Sequence, residues 1–245
     1  MLNEQTKSKL LAMKLDGMAE AYEQQSRAAR MTELSFEERL ALLVEQQWLW
    51  RENRSLRTRL TVARLKTPAC LEDLDFRDPR GLKRAVIDQL AGCDWVKFHQ
   101  NVLISGPTGT GKTFLACALA QKACREGYRA IYCYGPKFFR DLGLAHADGS
   151  LAKLFKKIGK AQVLVLDDWG LAKLEDQRYR DFLEILDDRQ GTGATLITSQ
   201  MPVSDWHTAM PDPTVADAIL DRLVHNAHRI ELKGESLRKR KSKGE

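Results

Sequence analysis

Residues 104–120, ISGPTGTGKTFLACALA, pass from apolar residues into a glycine-rich turn, then a lysine and a threonine, then apolar helix formers. Gly106 is followed by four residues and then by Gly111, Lys112 and Thr113, the spacing of a phosphate-binding loop. Glycines let such a loop turn tightly enough for its N–H groups to face phosphate oxygens, and the helix that follows adds the positive potential of its N-terminus. On this reading Gly106, Pro107, Thr108, Gly109, Thr110, Gly111, Lys112 and Thr113 cradle a nucleotide. Lys112 reaches the β and γ phosphates, and Thr113 ligates magnesium.

The loop needs a strand before it and a helix after it, and the surrounding pattern supplies both. Short apolar segments at 101–105 (NVLIS), 129–134 (RAIYCY), 162–166 (QVLVL), 194–198 (ATLIT) and 228–232 (HRIEL) read as strands with helical segments between them. That alternation predicts a parallel sheet covered by helices on both faces. The strand at 162–166 runs into Asp167 and Asp168. A carboxylate at the end of a buried strand is where a nucleoside triphosphatase holds magnesium, which assigns Asp167 to the metal. The neighbouring Asp168 is assigned to the attacking water. The 194–198 strand is expected to insert between the loop strand and the aspartate strand, bringing Ser199 and Gln200 near the γ phosphate, where Gln200 holds the water or senses hydrolysis. Arg222 lies on a predicted helix before the last strand, and spacing alone leaves it between a surface charge and a catalytic role.

Outside this α/β region the composition changes. Residues 1–66 contain Gly17 but no other glycine and no proline, and are rich in strong helix formers. Ser35 and Glu38 stand at capping-box spacing ahead of a stripe formed by Phe36, Leu40, Leu43, Val44 and Trp48. A small all-α domain is therefore expected over 1–66, with Trp48 and Trp50 packed in its core in preference to stacking on nucleic-acid bases. Pro68, Pro79 and Gly81 mark a linker over 67–80, followed by the α/β domain over 81–232 and a basic tail over 233–245.

The formal net charge is +6, and the excess is clustered. Arg51, Arg54, Arg57, Arg59, Arg64 and Lys66 form one basic group, and Lys153, Lys156 and Lys157, with Lys160, form another. Such sequence-indifferent positive charge suits the phosphates of DNA, although each cluster taken alone also fits a solvated surface. The five cysteines show no metal-ligand spacing, and neither a secretory signal nor a membrane-length apolar run is present. Reduced thiols and a cytoplasmic location, without a membrane partner, are expected.

Taken together, GPTGTGKT, VLVLDDWG, LITSQMPVSDW and ILDRLVHNAHRIEL resemble the IstB and DnaC branch of the AAA+ ATPases. The N-terminal LAMKLDGMAEAYEQQ and SFEERLALLVEQQWLWRENRSLRTRLTVARLK resemble IstB proteins, the ATP-binding helpers of insertion-sequence transposition. The resemblance implies an AAA+ core with a five-stranded parallel sheet, using ATP and Mg2+, and a homo-oligomer with ATP at its subunit interfaces. Its implied partners are duplex target DNA and a transposase of the IstA type. It also implies that Arg222 acts in trans, completing the ATP site of a neighbouring subunit. The chain departs from the wider pattern where Asp168 replaces the usual glutamate. It also has only thirteen residues beyond the last predicted strand, so no C-terminal lid domain is expected. A DnaC-like helicase loader, preferring single-stranded DNA, shares the ATPase core and is the alternative; a metabolic P-loop kinase fits the cradle but not the basic helical front.

Overall fold

The computed structural model describes residues 2–28, 33–77, 80–171 and 174–237. Part of the predicted basic tail, residues 238–245, and Pro79 of the predicted linker lie outside the described residues. The chain forms α1 (Leu2–Ala12), α2 (Asp16–Arg27), α3 (Phe36–Ala63), α4 (Arg84–Ala91), α5 (Asp94–Lys97), β1 (Asn101–Ser105), α6 (Lys112–Arg125) and β2 (Ala130–Tyr134). It continues through α7 (Gly135–Ala147), α8 (Leu151–Gly159), β3 (Val163–Trp169), α9 (Asp176–Arg189), β4 (Ala194–Ser199), α10 (Pro213–Val224) and β5 (Ala227–Glu231). Two compact units divide it, Met1–Thr58 and Arg59–Glu245.

In the first unit, α1 and α2 are joined by an ion pair between Lys7 and Glu23 at 2.5 Å and by Tyr22 Oη donating to Asn3 Oδ1 at 2.9 Å. The segment's one glycine has a packing reason: a Cβ on Gly17 would lie 2.5 Å from Trp50 Cβ, so its absence lets α2 approach α3. The expected capping box starts α3, with Glu38 N–H donating to Ser35 Oγ at 3.2 Å and Ser35 N–H donating to Glu38 Oε2 at 2.8 Å. The apolar stripe behaves differently from expectation. Gln47 is buried and Trp50 half-buried, whereas Phe36, Leu40, Val44 and Trp48 are exposed, so Trp48 is not a core residue. The face of α3 that meets α2 is offset from the stripe, because the close approach at Gly17 selects the side carrying Gln47 and Trp50.

The second unit is built on a parallel sheet of order β2-β3-β4-β1-β5. β4 lies between β1 and β3, where the sequence places the inserted strand. Strand side chains alternate between faces. Leu103, Leu164, Leu166 and Ile197 join a core with Phe138 and Phe139 of α7, Ile158 of α8, Phe182 of α9 and Ile219 of α10. Val102, Ile104, Val163 and Val165 are equally buried on the opposite side, where α6 packs across β1, β3 and β4. Aromatic rings fill the first core, with Trp169 and Phe182 centroids 5.2 Å apart and Phe139 and Phe182 5.5 Å apart.

Residues 59–80 also belong to this unit, which extends it into the segments expected to end the helical domain and form a linker. Arg59 Nε donates to the Cys124 carbonyl at 2.8 Å, and Ala69 packs on Cys117 and Ala118 of α6, flanked by Leu65 and Leu71. Small side chains on both surfaces permit this approach. The five cysteines are free thiols. Among the described residues no helix is long and apolar enough to cross a membrane.

Candidate functional site

β1 ends at Ser105, the chain turns through 106–111, and α6 begins at Lys112. Gly106 has φ 144° and Gly111 φ 97°, in the region that disfavours side chains. The space is closed as well: a Cβ on Gly106 would lie 2.2 Å from the Leu232 carbonyl oxygen, and one on Gly111 would lie 2.8 Å from Arg80 Nη1. Lys112 is buried, and its Nζ donates to the carbonyls of Gly106 at 2.7 Å and Pro107 at 2.8 Å. Burial lowers its pKa from the usual lysine value, while the charges of Asp168 and Asp167 oppose that shift. Its positive charge is thus held inside the loop that is shaped for phosphate.

Asp167, on β3, is 0% exposed and sits among donors. Thr113 Oγ1 donates to it at 2.9 Å, Thr198 Oγ1 at 2.6 Å and Tyr132 Oη at 2.6 Å, and Lys66 Nζ lies 3.5 Å from Oδ2. Burial pushes the Tyr132 hydroxyl pKa well up, reinforced by the hydrogen bond to Asp167, so the phenol stays a donor. The β3–β4 register shifts between Leu166 and Trp169, and Asp168 there takes φ 63° while its N–H donates to Thr198 Oγ1 at 2.9 Å. A bulge of this kind re-aims a side chain, and Asp168 faces the cleft.

The cleft has a volume of about 880 Å3 and is lined by Thr108, Gly109, Gly111, Lys112, Thr113, Asp168 and Gln200 among the predicted residues. Gln200 Oε1 accepts from Thr108 Oγ1 at 2.7 Å, tying the end of β4 to the loop. Thr110 is buried, its Oγ1 donating to the Pro107 carbonyl at 2.8 Å, so it braces the turn from within. Ser199 is buried, its hydroxyl donating to the Trp169 carbonyl at 2.9 Å to brace the end of β3 while its own carbonyl accepts from the Gly106 N–H at 3.1 Å at the start of the loop. Arg222 is not part of this cleft: its Nε pairs with Asp187 of α9 and its Nη1 donates to the Ala218 carbonyl at 2.8 Å.

The basic residues differ in exposure. Arg51, Arg54 and Arg57 are exposed on α3, with Arg54 over the Trp50 ring at 5.1 Å, and Lys153, Lys156 and Lys157 are exposed on α8. Arg64 is exposed, Arg59 is half-buried against Cys124, and Lys66 lines the cleft instead of an outer basic surface. Sequence reasoning also passed over Tyr132, Thr198 and Arg80. The first two read as ordinary strand residues, and Arg80, whose Nη1 donates to the Thr110 carbonyl at 3.1 Å, carried no motif.

Magnesium suits the pair formed by Thr113 and Asp167, two hard oxygen donors already in contact, because that ion takes few protein ligands and completes its shell with water and phosphate. Among the described residues no group of three or more His, Cys, Asp or Glu could hold a metal by itself.

The profile of the family described as IstB-like ATP binding protein matches residues 8–244. The chain belongs to that family. It is similar to the Sinorhizobium fredii protein y4pL, whose name describes an insertion sequence ATP-binding protein, at 50% identity over 98% of each chain. Its likeness to the IS21 protein of Pseudomonas aeruginosa, similarly named, is 32% over 94% of this chain and 86% of that one. Among solved structures, DnaI is similar with a TM-score of 0.59 and 26% identity, covering 67% of this chain and 91% of that one. Replication initiator DnaA, bound to AMPPCP and single-stranded DNA, shares the fold with a TM-score of 0.57 at 18% identity, over 74% of this chain and 56% of that one. The architecture of this IstB-like chain is that of a P-loop AAA+ protein.

Proposed function

We propose that this IstB-like chain is a magnesium-dependent ATPase of insertion-sequence transposition, which assembles on duplex target DNA and recruits a transposase of the IstA type. The observation that carries the reading is the convergence of Lys112, Thr113, Asp168 and Gln200 on one cleft, with Asp167 hydrogen-bonded to Thr113 at its wall. The insertion-sequence setting comes from relatives similar over nearly the whole chain.

Each residue has a role in that reading. The loop from Gly106 to Gly111 wraps the phosphates, and Lys112 leaves the Gly106 and Pro107 carbonyls to neutralise them. Thr113 and Asp167 hold the metal, which when bound offsets charge on the polyphosphate oxygens. Asp168, set by the bulge, orients the attacking water and accepts its proton, and Gln200 fixes the same water from the end of β4. Arg222, turned from its own cleft, serves the site of a neighbouring subunit. Residues 1–66 with Arg51, Arg54, Arg57, Arg59 and Arg64, together with the α8 lysines, meet DNA or the partner protein; the site of action is the cytoplasm.

The test is particle mass in solution with and without Mg-ATP, offering duplex or single-stranded DNA of equal length at one salt concentration. Large assemblies formed only with ATP and duplex are expected. Assembly on single strands, or none until a helicase is added, would favour a DnaC-like loader, a reading supported by the DnaI and DnaC folds. Arg222→Ala is expected to keep nucleotide binding and lose assembly; unchanged assembly would remove the trans role.

A further inference from the structure

Lys66 lies in the same cleft, and the roles above leave it unused. Asp167 is 0% exposed, and a carboxylate so enclosed needs a compensating charge. Three of its contacts, Thr113, Thr198 and Tyr132, are neutral hydroxyls. Among the described residues the ammonium paired with it is that of Lys66, 3.5 Å from Oδ2, whereas Lys112, whose charge also interacts with Asp167, donates to the loop carbonyls of Gly106 and Pro107. Lys66 therefore supplies positive charge at the carboxylate assigned to magnesium.

The backbone that delivers this ammonium is anchored and its side chain is not enclosed. Ala69 packs with Cys117 and Ala118 of α6, one turn beyond Thr113, and Leu65 and Leu71 pack against the same cluster. The Lys66 side chain is 44% exposed, and its Nζ lies 5.0 Å from the centre of the Tyr134 ring at the end of β2. Fixed backbone with a long, partly solvated side chain allows the head group to swing without moving the segment.

We infer that Lys66 is an internal counter-ion that occupies the cation position beside Asp167 in the nucleotide-free chain, and that it swings onto the polyphosphate tail when nucleotide and magnesium enter. The Lys66 ammonium and a metal ion at the same carboxylate repel each other, so Lys66 opposes free magnesium at Asp167 and adds attraction for nucleotide once displaced. Metal then binds with nucleotide and not ahead of it. The inference rests on the ATP reading of the cleft.

The experiment uses the full chain and fluorescent mant-ATP, titrated in EDTA and across a magnesium series, for wild type, Lys66→Met and Lys66→Arg. In Lys66→Met the affinity measured in EDTA falls by about tenfold, the loss expected for one charge-assisted contact, and half-saturation by magnesium moves to lower concentration. Lys66→Arg, which keeps the charge, stays near wild type. With magnesium chloride alone, matched for ionic strength by sodium chloride, the melting temperature rises in Lys66→Met and not in wild type. Unchanged magnesium dependence in a folded Lys66→Met would overturn the counter-ion role while leaving the ATP reading intact. Wild type that fails to bind mant-ATP in every condition would overturn both. If Lys66→Met does not fold, Lys66→Gln replaces it; calorimetric binding of magnesium alone to wild type, at lower concentration than magnesium saturates with nucleotide, also counts against the inference.

Discussion

Phe182 on α9 and Trp48 on α3 are large aromatics on apolar stripes of helices, yet the first is 0% exposed and the second 63%. Around Phe182 the rings of Phe138, Phe139 and Trp169 close from neighbouring elements of the sheet unit. In the helical unit α3 turns another face, carrying Gln47 and Trp50, toward α2. A helical repeat of apolar residues states that a surface favours cover, and says nothing about which element provides it. In the sheet unit the covering rings come from α7 and β3, gathered over the sheet from separate parts of the chain, whereas along α3 the cover that exists follows the close approach at Gly17.

The difference can be broken by substitution. Phe182→Ala is expected to cost about 3–5 kcal/mol in chemical denaturation, because it empties a fully buried ring site. Lys112→Ala is expected to weaken mant-ATP binding by about a hundredfold, the scale of a lost charged contact to phosphate, while circular dichroism of both units persists.

The alkaline limb separates the units by chemistry. Burial raises the thiol pKa of Cys93 and Cys133 from 9.0 to about 11, and all five cysteines belong to the sheet unit. Between those values the unfolded chain sheds thiol protons that the folded chain keeps, so stability contributed by the protonated thiols is full below about pH 9 and is lost as pH rises toward about 11. Melting of the sheet unit should fall over that range, and Cys133→Ala should make the fall shallower.

Smaller effects belong to the helical unit. Ser35→Ala removes half of the capping box and is expected to cost about 1 kcal/mol, read from the helical melting transition. Trp48→Ala is expected to change stability by less than about 0.5 kcal/mol, as for an exposed position. A cost approaching that of Phe182→Ala would mean that Trp48 is covered in solution, and the contrast between the two stripes would be lost.

Much of the cleft was legible before any coordinates. The glycine spacing at 106–111 marks a backbone turn, Lys112 and Thr113 follow it by covalent connection, and Asp167 and Asp168 end a strand whose apolar run announces its burial. The insertion of β4 could be read too, since β2 separates the loop strand from the aspartate strand in sequence. The part of Ser199 could not, because its hydroxyl turns to the Trp169 carbonyl only where the β3–β4 register shifts. Arg222 was legible as a charge, but its partner Asp187 lies on another helix, 35 positions away.

The sequence by itself determined the parallel sheet, the phosphate loop and the helical front, because strand runs, turn glycines and capping residues act on neighbouring backbone through short-range sterics and hydrogen bonds. Only the tertiary structure decided which charges meet. Lys66 stands 101 positions from Asp167, and nothing local to either residue specifies their approach. The packing of small residues around Cys117 brings them together, and the low dielectric around a buried carboxylate then gives that chance of topology its electrostatic weight.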